Sequence, residues 1–141
     1  MKQKVALYEL KQAKGIKANT FAHLVSTSLY ENRFGPYFTT PIVVGLDRAA
    51  EGYDVTLTHY DSIGCLSESD NFATAGTGSD FLTGACESFY KPNMEPEDLF
   101  ETVAQCFLSG INRDAFSGWG ATVYVLTPDE LVVRDIKTRM D

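Results

Sequence analysis

The chain has 141 residues, 44% of them apolar and 22% charged, with a formal net charge of −7. That length fits one domain, since domains cluster at about 100–150 residues, and the composition is globular rather than disordered. The acidic balance without a Lys/Arg patch argues against nucleic acid and anionic membrane surfaces as partners, and no apolar run approaches the ~18 residues that span a bilayer.

Residues 2–14 are rich in Ala, Leu, Glu, Lys and Gln, strong helix formers, and Gly15 is placed to close that helix in the left-handed conformation. A second helix follows, capped by Asn19 or Thr20, with Phe21, Leu24, Val25 and Leu29 as its apolar stripe and Gly35-Pro36 as its stop. Pro41 to Leu46 is a continuous apolar run, the pattern of a strand buried on both faces. After a turn from Asp47 to Gly52, Tyr53, Val55, Leu57 and His59 alternate with Asp54, Thr56, Thr58 and Tyr60, as in a strand with one face inward. The pair predicts a hairpin, which Ile63-Gly64-Cys65-Leu66 either extends or follows with a short return.

Phe72 to Gly76 reads as another strand, leading through Gly78-Ser79 into a helix with Leu82, Ala85, Cys86 and Phe89 on one face and Lys91-Pro92 as its stop. A further helix starts at Pro96 and carries Leu99, Val103, Cys106, Phe107 and Ile111 inward. A turn from Asp114 to Gly120 then precedes a second hairpin, Ala121–Leu126 and Leu131–Ile136, and residues 137–141 form a polar tail. Blocks of helices separated from hairpins predict an α+β domain, antiparallel sheet covered by helices, over residues 1–141.

Several constellations resemble sites and have simpler explanations. Gly76-Thr77-Gly78 follows a strand and opens a helix like a dinucleotide-binding turn, but Phe81 stands where the third glycine belongs, so no nucleotide cofactor is expected. His23 and His59 are isolated, and no close Cys pair exists to complete a metal set, so no metal is expected either. Cys65, Cys86 and Cys106 are odd in number and widely spaced, which fits buried reduced thiols and a cytoplasmic or nuclear location. Glu95, Glu97, Asp98 and Glu101 favour the positive end of a helix dipole and need no catalytic role. Tyr30, Phe34, Tyr37 and Phe38 cluster around Gly35-Pro36, either as core or as the centre of an interface. Lys2, Lys4, Lys11, Lys14 and Lys17 read as a solvated helix face.

Asn112-Arg113-Asp114-Ala115-Phe116-Ser117-Gly118 lies between a helical pattern and an apolar strand, and an Arg-Asp-x-x-Ser-Gly turn there resembles that of proteasome beta subunits. Further pieces occur in the same order: Tyr30 to Tyr37, Gly45-Leu46-Asp47, Asp61 to Cys65, Cys86-Glu87-Ser88, Pro92-Asn93-Met94, Leu99 to Thr102 and Lys137 to Asp141. From about Leu7 to the last residue the chain is similar to the proteasome beta-subunit family, and within it to the beta-type 3 class of the eukaryotic 20S particle. Phe34-Gly35-Pro36-Tyr37 and the Arg139-Met140-Asp141 ending carry that distinction and are candidate interface residues.

The resemblance implies an amino-terminal-nucleophile-hydrolase fold, an αββα sandwich, here lacking its first strands, because Met1 falls inside the family's first helix. An exposed sheet edge, uncovered apolar faces and poor solubility of the isolated chain follow as expectations. Catalysis in this family uses a terminal Thr hydroxyl with its own amine as base. The resemblance assigns Asp114 and Ser117, with Gly118 beside them, to the group that tunes that amine, and Thr77 to an accessory hydroxyl. Met1 offers no such nucleophile, so these positions are read as vestigial; the plainer account is that Asp114 opens a turn and Ser117-Gly118 shape it. The implied function is a non-catalytic subunit of the 20S core particle, touching beta subunits within and across rings and alpha-ring subunits, in cytoplasm and nucleus. The alternatives are an active amino-terminal threonine hydrolase, or a truncated product that never enters the particle.

Overall fold

The computed structural model describes residues 1–141 and contains four helices and five strands, all strand pairs antiparallel, which makes the chain α+β. It divides into two compact units, Met1–Asp70 and Asn71–Asp141.

The first unit holds helices α1 (Lys2–Gln12) and α2 (Ala18–Tyr30) and strands β1 (Ile42–Arg48), β2 (Tyr53–Tyr60) and β3 (Leu66–Glu68) in the order β1-β2-β3. The short return after β2 is thus the one that forms, pairing Tyr60 with Leu66 and Thr58 with Glu68. α1 buries no residue; it is tied to the end of α2 by Lys4 Nζ, 2.7 Å from Glu31 Oε2 and 3.1 Å from Ser28 Oγ. Ala13, not Gly15, takes the left-handed cap, at φ 52°.

α2 begins before both expected caps. Its leading amide, Ala18 N–H, is satisfied from β1 by Asp47 Oδ2 at 2.8 Å. β1 and α2 also meet at Gly45, where a β-carbon would overlap that of Ala18. The buried face of α2 is Ala22, Val25, Ser28 and Leu29, rotated from the expected stripe so that Phe21 and Leu24 are only half-buried. The helix ends at Tyr30, short of Gly35-Pro36, in a tightened turn where Asn32 N–H bonds Leu29 O and Arg33 N–H bonds Tyr30 O.

Both strand expectations need correction on which side is inward. β1 is not buried on both faces: Val43 and Gly45 are buried while Ile42 and Val44 are exposed. The register pairs Val43 with Thr58 and Val44 with Leu57, so Val43, Thr58 and Tyr60 share the surface under α2. In β2 it is therefore Thr58, only 1% exposed, and Tyr60 that turn inward, while Val55 is 72% exposed. Hydroxyls can occupy this core because they satisfy one another: Thr58 Oγ1 donates to Tyr60 Oη at 3.1 Å, which donates to Ala22 O at 2.7 Å. Burial pushes the Tyr60 phenol up from its ordinary value, against a lowering by the Thr58 hydrogen bond.

The second unit holds helices α3 (Ser79–Phe89) and α4 (Pro96–Ile111) and the hairpin β4 (Ala121–Leu126) and β5 (Leu131–Ile136). The expected strand at 72–76 does not form: the segment pairs with neither strand of the hairpin, and its Thr74 hydroxyl bonds that of Thr83 at 2.7 Å. α3 keeps Leu82, Ala85 and Cys86 half-buried but leaves Phe89 exposed. On α4 the buried positions are Ala104, Cys106, Gly110 and Ile111, whereas Leu99, Val103 and Phe107 stay partly exposed. Small residues win because α3 packs so closely on α4 that a β-carbon on Gly110 would lie 2.8 Å from Leu82 Cγ. Glu97, in the first turn of α4, grips Arg134 of β5 through two hydrogen bonds of 2.7 and 2.5 Å, and the guanidinium also lies 4.6 Å from the Phe100 ring centre. Tyr124, Leu126, Leu131 and Val133 form an exposed apolar side of the hairpin.

Candidate functional site

The turn after α4 tightens as Arg113 N–H bonds Gly110 O and Asp114 N–H bonds Ile111 O, which turns the Asp114 side chain back into the second unit. Asp114 is buried and its carboxylate is well occupied. Oδ2 accepts from Thr77 Oγ1 at 2.5 Å and from Ser117 Oγ at 2.6 Å; Oδ1 accepts the Phe116 N–H at 3.1 Å. The loop before α3 comes this near because residue 78 is glycine: a β-carbon there would stand 3.2 Å from Asp114 Oδ2. The Ser117 hydroxyl, then that of Thr77, then the Phe116 N–H hold the Asp114 carboxyl below its ordinary value, against a smaller opposing effect of burial.

Three of the four residues expected at this site thus meet around one carboxylate, with Gly118 next to them. Both hydroxyl protons point at the Asp114 carboxylate, so the three side chains are held to one another across the turn. His23 and His59 belong to α2 and β2 of the first unit.

The residue that sequence reasoning missed here is Arg139. The segment 137–141 is not a loose tail but a strap across the turn. The Arg139 guanidinium donates from Nη1 to Ile111 O and from Nη2 to the carbonyls of Asp114 and Ser117, the last at 2.6 Å. Trp119 N–H bonds Arg139 O at 3.0 Å, and Gly120 N–H bonds Thr138 Oγ1 at 2.7 Å. Trp119 takes φ 62° to make this fit, and its indole Nε1 reaches Asp141 O at 3.2 Å. Of the candidate interface residues at this end, Arg139 is therefore half-buried and engaged internally, while Met140 and Asp141 are exposed. A lone arginine in a polar tail carries no periodic signal, so only the three carbonyls reveal its role.

In the first unit, the other candidate interface lies outside the core. Phe34 is 96% exposed and Tyr37 and Phe38 are also exposed, so packing into the core is the alternative that fails. Arg33 stacks 5.5 Å from the Phe34 ring centre and 5.8 Å from that of Tyr30, and Asn32 Nδ2 donates to Tyr37 Oη at 3.2 Å. The thiols differ from the uniform burial expected: Cys65 is exposed, Cys86 half-buried and Cys106 buried.

The family model described as "Proteasome subunit" matches residues 1–126, which include Thr77, Asp114, Ser117 and Gly118. The chain belongs to the proteasome subunit family. Among proteasome relatives, it is 50% identical over 138 residues to proteasome subunit beta type-3 of Saccharomyces cerevisiae, covering 98% of this chain and 66% of the relative. It is 49% identical over 135 residues to the beta type-3 subunit of Oryza sativa subsp. japonica, and 44% over 135 residues to that of Drosophila melanogaster, in each case 96% of this chain and 65% of the relative. The chain thus spans about two thirds of the length of the curated proteasome relatives it matches.

Proposed function

We propose that this chain works as a non-catalytic, structural beta subunit of the 20S proteasome core particle, helping to form the ring that encloses the proteolytic chamber. The observation that carries the reading is the similarity, at 44–50% identity over 96–98% of the chain, to subunits named beta type-3 in yeast, rice and fly. The turn geometry supports the non-catalytic part. Asp114 has two hydroxyls and a backbone amide on its carboxylate, an arrangement suited to holding a turn in shape. Thr77, Ser117 and Gly118 then persist as framework. Beta subunits of the same and the opposite ring, and alpha-ring subunits, are the proposed neighbours. Phe34 to Tyr37 in the first unit and Met140-Asp141 in the second are available for those contacts. Cytoplasm and nucleus are the proposed locations.

The test is to express the tagged chain in cells and separate complexes by size. The expected result is co-migration with alpha subunits in the large particle, and no labelling of this chain by a threonine-directed epoxyketone that labels its neighbours. A chain that stays out of the particle, or one that takes the label, overturns the reading.

A further inference from the structure

α3 and α4 of the second unit follow each other through a short connection and pack antiparallel, with a register set by one close contact. Leu82 meets Gly110, where the missing side chain lets the helices approach closely. One turn further along α3 and one turn back along α4 stand Cys86 and Cys106, which this register sets opposite each other; besides burial, the neighbouring Cys106 also raises the Cys86 thiol. Both are free, Cys106 is 3% exposed, and Cys86 is half-buried and so the sulfur that a small solute reaches first. A disulfide needs α-carbons about 4.4–6.8 Å apart, closer than the usual 8–10 Å between helix axes, and a glycine at the adjacent crossing favours such an approach.

We propose that Cys86 and Cys106 form an oxidisable dithiol that hydrogen peroxide converts to a disulfide bridging α3 and α4. The Cys86 thiolate attacks one peroxide oxygen, the O–O bond breaks, and the departing hydroxide takes a proton to become water, leaving a sulfenic acid. The Cys106 thiol gives up its proton as its sulfur attacks the Cys86 sulfur; the S–S bond forms, the S–O bond breaks, and a second water leaves. Two thiols lose two electrons and one peroxide becomes two waters. Burial, and then the neighbouring Cys106, push the Cys86 thiol up to about 11, so Cys86 reacts slowly at neutral pH, answering sustained rather than passing oxidant. Cys65, exposed in the first unit, has no thiol partner and provides an internal control.

The experiment uses the full chain in whatever assembly it is isolated with. The sample is exposed to hydrogen peroxide, blocked with N-ethylmaleimide and digested without reduction, and its peptides are weighed. The expected product is a linked peptide pair containing Cys86 and Cys106, lighter by two hydrogens and separated by dithiothreitol. Cys86→Ser removes the pair and leaves Cys106 alkylatable, and Cys106→Ala is the second variant should the first fail to fold. The wild-type chain alone decides the matter. If both thiols remain alkylatable at peroxide levels that oxidise Cys65, or if Cys86 advances to sulfinic acid with no linked pair, the proposal is wrong.

Discussion

Arg139 holds Asp114 chiefly by its backbone: the guanidinium donates to the Asp114 carbonyl, while the carboxylate faces two hydroxyls and an amide and feels the Arg139 charge least among the groups that lower it. The turn is therefore fastened from two sides, by the strap at the chain's end and by the loop that carries Thr77.

Replacing Arg139 should loosen that turn. Arg139→Ala leaves three carbonyls without their charged donor, and a loss of about 2 kcal/mol is expected. Arg139→Lys should recover little, because an ammonium cannot reproduce the planar fork. Trp119 lies within the turn and is the chain's single tryptophan, so its fluorescence during denaturant unfolding reads the change directly. An unchanged midpoint in both variants would contradict the strap.

Asp114 sets an acid limb. Its carboxyl lies lower in the folded chain than its ordinary value, so its contribution is present above the ordinary carboxylate range and is lost as pH falls through the lowered value. A melting temperature that declines on acidification is expected for the wild type, with a shallower decline in Asp114→Asn, which starts from lower stability at neutral pH. Parallel curves for the two proteins would rule out this carboxylate as a source.

Thr58 and Tyr60 should behave as a unit. Tyr60→Phe leaves the buried Thr58 hydroxyl without a partner and is expected to cost about 1–3 kcal/mol. Adding Thr58→Val removes the orphan, so the double variant should be less destabilised than the sum of the singles. Additive losses measured by denaturant titration would mean that the two hydroxyls do not communicate.

Gly45 should not tolerate a side chain. Gly45→Ala drives a methyl group into that of Ala18, and overpacking of this kind costs about 1–3 kcal/mol. Ala18→Gly in the same chain opens the space and should restore part of the loss, apart from its own helix penalty. No rescue in the thermal melt would place the strain elsewhere.

The uncovered apolar sides of the two sheets predict self-association of the purified chain alone. Val44 and Val55 in one unit and Tyr124 and Val133 in the other are all more than half exposed. Sedimentation should show oligomers that grow with concentration. A monomer at every concentration, melting cooperatively, would contradict this.

Much of the fold was legible because its signals are periodic and local. All four helices and both hairpins fall where propensity and pattern put them, with Pro96 opening α4 as expected. The inward sides of β1, β2 and α4 were not legible. An apolar strand such as Ile42 to Leu46 does not say which neighbour covers which face, and a core built of Thr58, Tyr60, Cys106 and Gly110 looks polar or small in sequence. The Asp114 cluster was found through resemblance, since nothing in the spacing of Thr77, Asp114 and Ser117 announces a shared carboxylate. The bonds that Asp47 and Arg139 make stayed hidden for the same reason: each acts on backbone groups far along the chain.

The contact of Asp47 with Ala18 has a consequence for alignment during folding. Side chains of a strand alternate between its two surfaces, so a slip of β1 by one residue would carry that carboxylate away from α2 and leave the helix's foremost amide bare. A mistake in how the strands zip is then felt at once by the helix above them, and only the correct match lets both close.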